Sequence, residues 1–389
     1  GQVTRYRHDH HRIVEEQLPT GLRFHFAYDG DDPDAPCVRT WGDGGIVDHR
    51  LIFDRARRTT VVINACQETT IYRADPRGLV AEIQDPRGAI TRFTHDELLR
   101  PVEIVDPLGH VTRFEYDPRG NCIRHHAPDG ALTTTIHDGR LDLPVALTDA
   151  AGGQWRWTHD SRGRLLRATD PLGRSTVHHY ELSPETGHTL VTTLRHDGRC
   201  ERRTLDPAGR LLRVDLSDGT SITHTLDRRG RLRRCVDERG RTETRDHDLL
   251  GRLTRHTLPD GQMRHFSHEP GAQVVRACDP RHDLRCTYTG LGWLASCGDG
   301  NTPPLTLERD LEGRITRVAG PAGTLLRIER DPAGRPRLTV DALGLRRRFT
   351  RDLLGRVTEL RTEGAAPTRF TRDPAGRIRE LEHGDGRER

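Results

Sequence analysis

The strongest constraint in this chain is the spacing of its glycines. From Asp206 to Gly251 the sequence reads DPAGRLLRVDLSDGTSITHTLDRRGRLRRCVDERGRTETRDHDLLG, with glycines at 209, 219, 230, 240 and 251, spaced 10, 11, 10 and 11 residues apart. Each unit has an Asp, two variable residues and a Gly, commonly followed by Arg and then by a short run of alternating apolar and polar residues. Asp bonds the backbone two residues on, Pro presets φ at the second turn position, and Gly accepts a positive φ. The pattern predicts a turn followed by a strand, with two units making a hairpin.

The same signature recurs from Asp75–Gly78, Asp85–Gly88, Asp106–Gly109 and Asp117–Gly120 through Asp160–Gly163 and Asp170–Gly173. It returns at Asp310–Gly313, Asp331–Gly334, Asp341–Gly344, Asp352–Gly355 and Asp373–Gly376. Two residues after many of these glycines stands one aliphatic side chain, as at Leu165, Leu211, Leu232, Leu253, Ile315, Val357 and Ile378. Phe93, Phe114 and Phe349 each follow five residues after a Gly. Period-two patterning between turn signals marks strands, and the runs between glycines are too short for stable helices. A fixed short period of this kind decides the architecture, an all-β array of antiparallel hairpins.

Composition fits a thin array. Hydrophobic residues make up 33% of the 389, aromatics 5% and charged residues 31%, too few apolar groups for a thick globular core. The regular turns and a net charge of only +4 argue against disorder. The 62 basic residues contain no Lys and face 58 acids spread through the same segments. Alternation such as Arg241-Thr242-Glu243-Thr244-Arg245-Asp246 lacks the one-sign patch that nucleic acid would need and suggests cross-strand ion pairs. No apolar run approaches the roughly 18 residues of a membrane helix, and no charged-then-apolar signal opens the chain. The eight cysteines show no Cys-x-x-Cys pair and no even framework, so they read as small apolar strand residues of a protein made in a reducing compartment.

Residues 1–60 lack the regular spacing and read as a capping segment before the repeats, with strands at Leu22–Phe26 and Leu51–Phe53. Regular repeats are expected over 61–380, loosening at 137–157 and at Glu269 to about Pro304, and residues 381–389 read as a charged tail. Trp155 and Trp157 share one strand face, where packing against adjacent strands is the plainer reading.

Candidate sites are sparse. His8-Asp9-His10-His11 lacks a matching Cys or His pair for a metal, and Asp29, Asp31, Asp32 and Asp34 lack the closing Glu of a calcium loop. No metalloprotease helix, nucleophile elbow, phosphate loop or dinucleotide fingerprint is present. His95, His137, His159 and His196 precede a turn Asp and so occupy a repeat slot. No catalytic, cofactor-binding or metal-binding residue is assigned, no cofactor is expected, and the chain is read as non-enzymatic. Replacing the turn glycines is expected to destabilise, and replacing the Arg after them to cost far less.

Tyr116-Asp117-Pro118-Arg119-Gly120 carries the resemblance to a known family: the repeat resembles the tyrosine-aspartate (YD) repeat of the Rhs proteins, with His95, His159, Leu226, Arg330, Arg351 or Arg372 in the Tyr slot elsewhere. Cys37-Val38-Arg39-Thr40-Trp41-Gly42-Asp43-Gly44-Gly45 also resembles the sequence preceding the repeats in proteobacterial Rhs effectors. The resemblance implies a β-ribbon spiralling into part of a hollow shell that encloses a C-terminal toxin. It implies synthesis in the bacterial cytoplasm and export by a dedicated secretion system, type VI in many members, for interbacterial competition. Implied partners are the toxin domain, the rest of the shell, and secretion spike and chaperone proteins. The family's self-cleaving protease carries paired Asp-Pro-x-Gly-Leu motifs, which Asp341-Ala342-Leu343-Gly344-Leu345 only echoes, so that activity does not carry over. The alternative, from another class, is a surface adhesion or carbohydrate-binding repeat protein; the reading frame beyond Arg389 would discriminate the two. An open part-wall is expected, its strand backbones pairing against the next winding.

Overall fold

The computed structural model describes residues 3–269, 273–384 and 386–388. Among them run thirty-seven strands, and the one helical element is the single 3-10 turn Asp43–Gly45. Each strand pairs antiparallel with its neighbours in the chain, from Arg5–Asp9 to Gly386–Glu388, in one all-β meander.

The turn chemistry is uniform. At Asp206–Gly209 the Gly209 N–H donates to the Asp206 carbonyl (2.9 Å) and the Asp206 N–H to the Arg210 carbonyl (2.9 Å), while Gly209 sits at φ +80°. This is a type I turn closed by a left-handed residue. Asp206 Oδ1 accepts the N–H groups of Ala208 and Arg210, each at 2.9 Å. A second variety puts Asp third, as in Leu216–Gly219, where Asp218 Oδ1 accepts the Thr220 N–H at 2.9 Å. His196 belongs to that variety and lies inside the turn Arg195–Gly198, not before it. The aliphatic residues two after the glycines open strands: Leu211 faces Leu205, Leu232 faces Leu226, and Ile315 faces Arg309.

Successive turns alternate between the two edges of the ribbon. Strands entering first-edge turns carry a bulge, at Thr204/Leu205, Thr225/Leu226 and Asp246/His247, whereas the intervening pairs joined at the second edge have none. An extra residue bends the strand that holds it, and repeating it along one edge curves the ribbon in one direction. The ribbon returns on itself: contacts join residues 246 to 270 apart. Among the described residues strand backbones do not pair against the next winding as expected, because strands lie across the ribbon and successive windings meet through their turns.

The loosened segments keep the meander through strands Pro144–Thr148, Gln154–His159, Val274–Cys278, Asp283–Tyr288 and Leu294–Asp299. Their turns differ in length: Asp138 N–H reaches the Leu143 carbonyl, and Asp279 N–H reaches His282. Residues 270–272 of the second segment lie outside the described residues. The first sixty residues contribute strands from Arg5–Asp9 onward to the same sheet. In the tail, Gly386–Glu388 pairs with Ile378–His383, and residues 385 and 389 lie outside the described residues.

Among the described residues there is no central core. The chain exposes 24119 Å², against about 15,000 Å² for a compact monomer of this size. Among the described residues only Ala65, Ala89, Val191 and Val214 are buried apolar groups.

Candidate functional site: the seam and the two faces

Where the second winding meets the first, first-edge turns dock on second-edge turns. Thr20 Oγ1 donates to the Gly290 carbonyl at 2.6 Å, and Val47 N–H donates to the Leu311 carbonyl at 2.9 Å. Glu312 accepts the buried Ala65 N–H at 2.8 Å and lies 3.3 Å from His49 Nε2. Arg314 donates to both oxygens of Glu68, at 3.0 and 3.1 Å, and to Asp310 of its own turn at 2.8 Å. Burial works against the Arg314 charge, yet these two carboxylates hold its pKa above the ordinary arginine value. Asn64 supports Glu68 at 2.7 Å, Arg87 donates to the Asp352 and Leu353 carbonyls at 3.1 and 2.7 Å, and Arg377 pairs with Asp129. Beside Glu68 and Arg314 the seam leaves an open crevice of about 630 Å³, bounded by Pro86, Ile328 and Arg337.

At two first-edge turns the Arg after the glycine reaches beyond its own turn. Arg231 bonds Asp227 of its own turn at 2.6 Å and the Asp248 carbonyl of the next first-edge turn at 2.9 Å. Arg252 repeats this with Asp248 (2.7 Å) and the Glu269 carbonyl (2.9 Å). Each guanidinium thus ties neighbouring hairpins. A Cβ at Gly230 would run into the Arg210 guanidinium, whereas one at Gly209 meets nothing.

Tyr and Arg do the same physical job in the Tyr slot. Tyr116 OH donates to the carbonyl of Pro101, the first residue of the preceding strand, at 2.8 Å, and Arg100 lies over its ring at 4.6 Å. Where Arg fills the slot it reaches the equivalent carbonyl: Arg330 to Ile315 (2.7 Å), Arg351 to Pro336 (3.2 Å), Arg372 to Val357 (3.4 Å). Its other amino group caps the following glycine carbonyl, as Arg330 does Gly334 at 3.1 Å. His137 and His159 leave Nδ1 buried without a partner.

The faces differ. One carries cross-strand ion pairs, including Arg92–Glu82 (3.0 Å), Arg113–Glu103 (2.8 Å) and Arg124–Glu115 (2.9 Å). The other carries Ile83, Phe93, Ile104, Phe114, Leu147 and Trp157, with Phe93 facing Ile104 and Phe114 stacked on His125 at 5.1 Å. Trp155 and Trp157 share this face, opposite Leu147 and Ala168. The buried strand residues Val191, Thr193 and Val214 also lie here, as crowding on the inside of a bend requires.

The sequence candidates resolve simply. His11 Nε2 donates to the Pro33 carbonyl at 2.9 Å and Arg12 to the Gly30 carbonyl at 2.7 Å, so the His8–His11 and Asp29–Asp34 clusters meet, with a guanidinium against the acidic loop. Among the described residues no group of three His, Cys, Asp or Glu could hold a metal ion. Asp341 serves an ordinary turn, accepting the Leu343 and Leu345 N–H groups at 3.1 Å and pairing with Arg347 at 3.2 Å. No helix among the described residues is long and apolar enough to cross a membrane. The cysteines differ from expectation at one place, where Cys286 and Cys297 face each other across two strands.

A single-layered hairpin ribbon wound back on itself defines a β-shell protein. The RHS Repeat family matches at residues 96–132 and 137–175. The crystal structure of TcdB2-TccC3-TEV covers 98% of this chain at TM-score 0.58 and 15% identity, and this chain covers 23% of it. The Photorhabdus luminescens Tc holotoxin pore covers 97% at TM-score 0.57 and 15% identity, with 24% of that chain covered. No curated protein matches the sequence. Residues 96–132 and 137–175 thus match RHS repeats, the fold as a whole is that of the shells in these toxin structures, and the chain spans about a quarter of the length of the structures it resembles.

Proposed function

We propose that this chain is a wall segment of a toxin-encapsulating shell. Residues 61–380 form the wall, residues 1–60 cap its start, and residues 381–389 are a charged tail. The observation that carries this is the seam: the Glu68–Arg314 and Ala65–Glu312 contacts join edges one full winding apart, so the ribbon divides an inside from an outside. The face with Phe93, Phe114, Trp157 and Val214 lines the chamber and holds incompletely folded cargo against apolar side chains. The wall itself is non-catalytic. Its cargo is a C-terminal toxin, its partners are the remaining shell windings with spike and chaperone proteins, and its route is export, by a type VI apparatus, for competition between bacteria.

Limited proteolysis of the gene product as the bacterium makes it tests this. A segment following residue 389 is expected to resist protease while the shell is folded and to be cut once the shell is denatured. Digestion at equal rates in both states overturns the reading. Deleting the secretion apparatus should abolish export, and unchanged export would remove the type VI route alone.

A further inference from the structure

Cys286 lies in Asp283–Tyr288 and Cys297 in Leu294–Asp299, directly opposed in register, with their sulfurs 2.8 Å apart. Other strand cysteines face unlike residues: Cys37 faces Tyr28, Cys122 Tyr116, Cys200 Leu194, Cys235 His224 and Cys278 His265. A disulfide needs a sulfur separation of about 2.05 Å, and directly opposed residues already place their Cβ atoms about 4.5–5.5 Å apart. Closing the bond therefore asks the sulfurs to move together by less than an ångström and the two strands to bring their Cβ atoms to the roughly 3.5–4.5 Å of a disulfide.

The hairpin has a special place in the fold. Its turn contains Gly290, whose carbonyl takes the Thr20 hydroxyl, and a Cβ at 290 would press on Leu22 at 3.0 Å. This is where the ribbon first touches its own beginning.

We propose that Cys286 and Cys297 are a redox-responsive pair that an external disulfide converts to a cross-strand disulfide, stapling the hairpin on which the ribbon closes its first winding. Burial, and the sulfur of Cys297, push the Cys286 thiol up to about 11, so it is protonated near neutral pH and exchange runs through a small thiolate fraction. With a disulfide such as oxidised glutathione, one thiolate attacks, forms a mixed disulfide and expels a glutathione thiolate. The second protein thiolate attacks the protein sulfur of that mixed bond, closes Cys286–Cys297 and expels the other glutathione. The two protein S–H protons pass to the two glutathione thiolates, so two protein thiols are oxidised and one external disulfide is reduced.

The test is thiol alkylation with mass spectrometry on the folded chain before and after oxidised glutathione. Before, all eight cysteines alkylate after denaturation. After, six are expected to alkylate, eight less the two joined, and a digest should yield a linked peptide joining 286 to 297 that reductant releases. Cys286→Ser and Cys297→Ser should each form no internal disulfide. Eight alkylated cysteines after oxidation, a link between other cysteines, or a lasting glutathione adduct without closure each overturns the proposal; the wild-type result suffices where a variant fails to fold.

Discussion

Arg314 of the second winding holds Glu68 of the first through both amino nitrogens, at 3.0 and 3.1 Å, with the carboxylate side chain 13% exposed. The pair joins residues 246 apart, so its loss is felt between windings and not within a hairpin.

Glu68→Ala leaves a half-buried guanidinium with one carboxylate partner and should destabilise by about 1–3 kcal/mol. Hydrogen exchange should quicken at Ala65 and Cys66 while the hairpin Leu211–Leu216 to Ser221–Leu226 stays unchanged. A double-mutant cycle with Arg314→Ala should give a coupling of about 0.5–3 kcal/mol, and additive losses would contradict the pairing.

Gly209→Val forces a β-branched residue to φ +80° and should cost about 1–3 kcal/mol. Gly230→Val should cost more, since it meets the Arg210 guanidinium as well, and Arg210→Ala should recover the excess. Equal losses at the two glycines, in melts followed by circular dichroism, would remove the arginine from the account.

Tyr116→Phe deletes the bond to the Pro101 carbonyl and should cost about 0.5–1.5 kcal/mol. Arg330→Tyr, which can reach the same class of carbonyl, should be tolerated better than Arg330→Leu. If Leu is the milder change, the slot is apolar packing and not a bond to the preceding strand.

Acid should loosen the turns. The Arg231 N–H, foremost, holds the Asp227 carboxyl at about 2, and the Arg276 guanidinium does the same for Asp283. An unfolded Asp titrates near about 3.9, so the unfolded chain takes up protons first. The carboxylates' contribution is present above about pH 4 and is lost as pH falls toward about 2. Melting temperature should fall through that window, less steeply in Asp227→Asn. A flat profile there would show that the turn aspartates do not stabilise the array.

The hairpin units were readable because their causes are local. Asp206, Gly209 and Leu211 act within six residues of one another, and the structure puts each where its spacing implied. The second partner of the Arg after the glycine was not legible because it lies a further turn away, as Arg231 finds the Asp248 carbonyl. The opposed cysteines were missed although both belong to one hairpin, for register depends on the bulge at Thr287/Tyr288, which spacing alone does not place. In the Tyr slot, Arg330 and Arg351 looked like departures from the pattern until their shared carbonyl acceptors were visible.

By itself, then, the sequence determined an all-β hairpin array, its turn residues and its strand starts, since each follows from the φ preference of Gly and the hydrogen bonds of Asp within one turn. Only the tertiary structure decided which edges meet, that Glu68 finds Arg314 and Ala65 finds Glu312, and which face is crowded. Those pairings depend on curvature accumulated over a whole winding, to which every bulge contributes a small bend, and no local pattern in the chain records that sum.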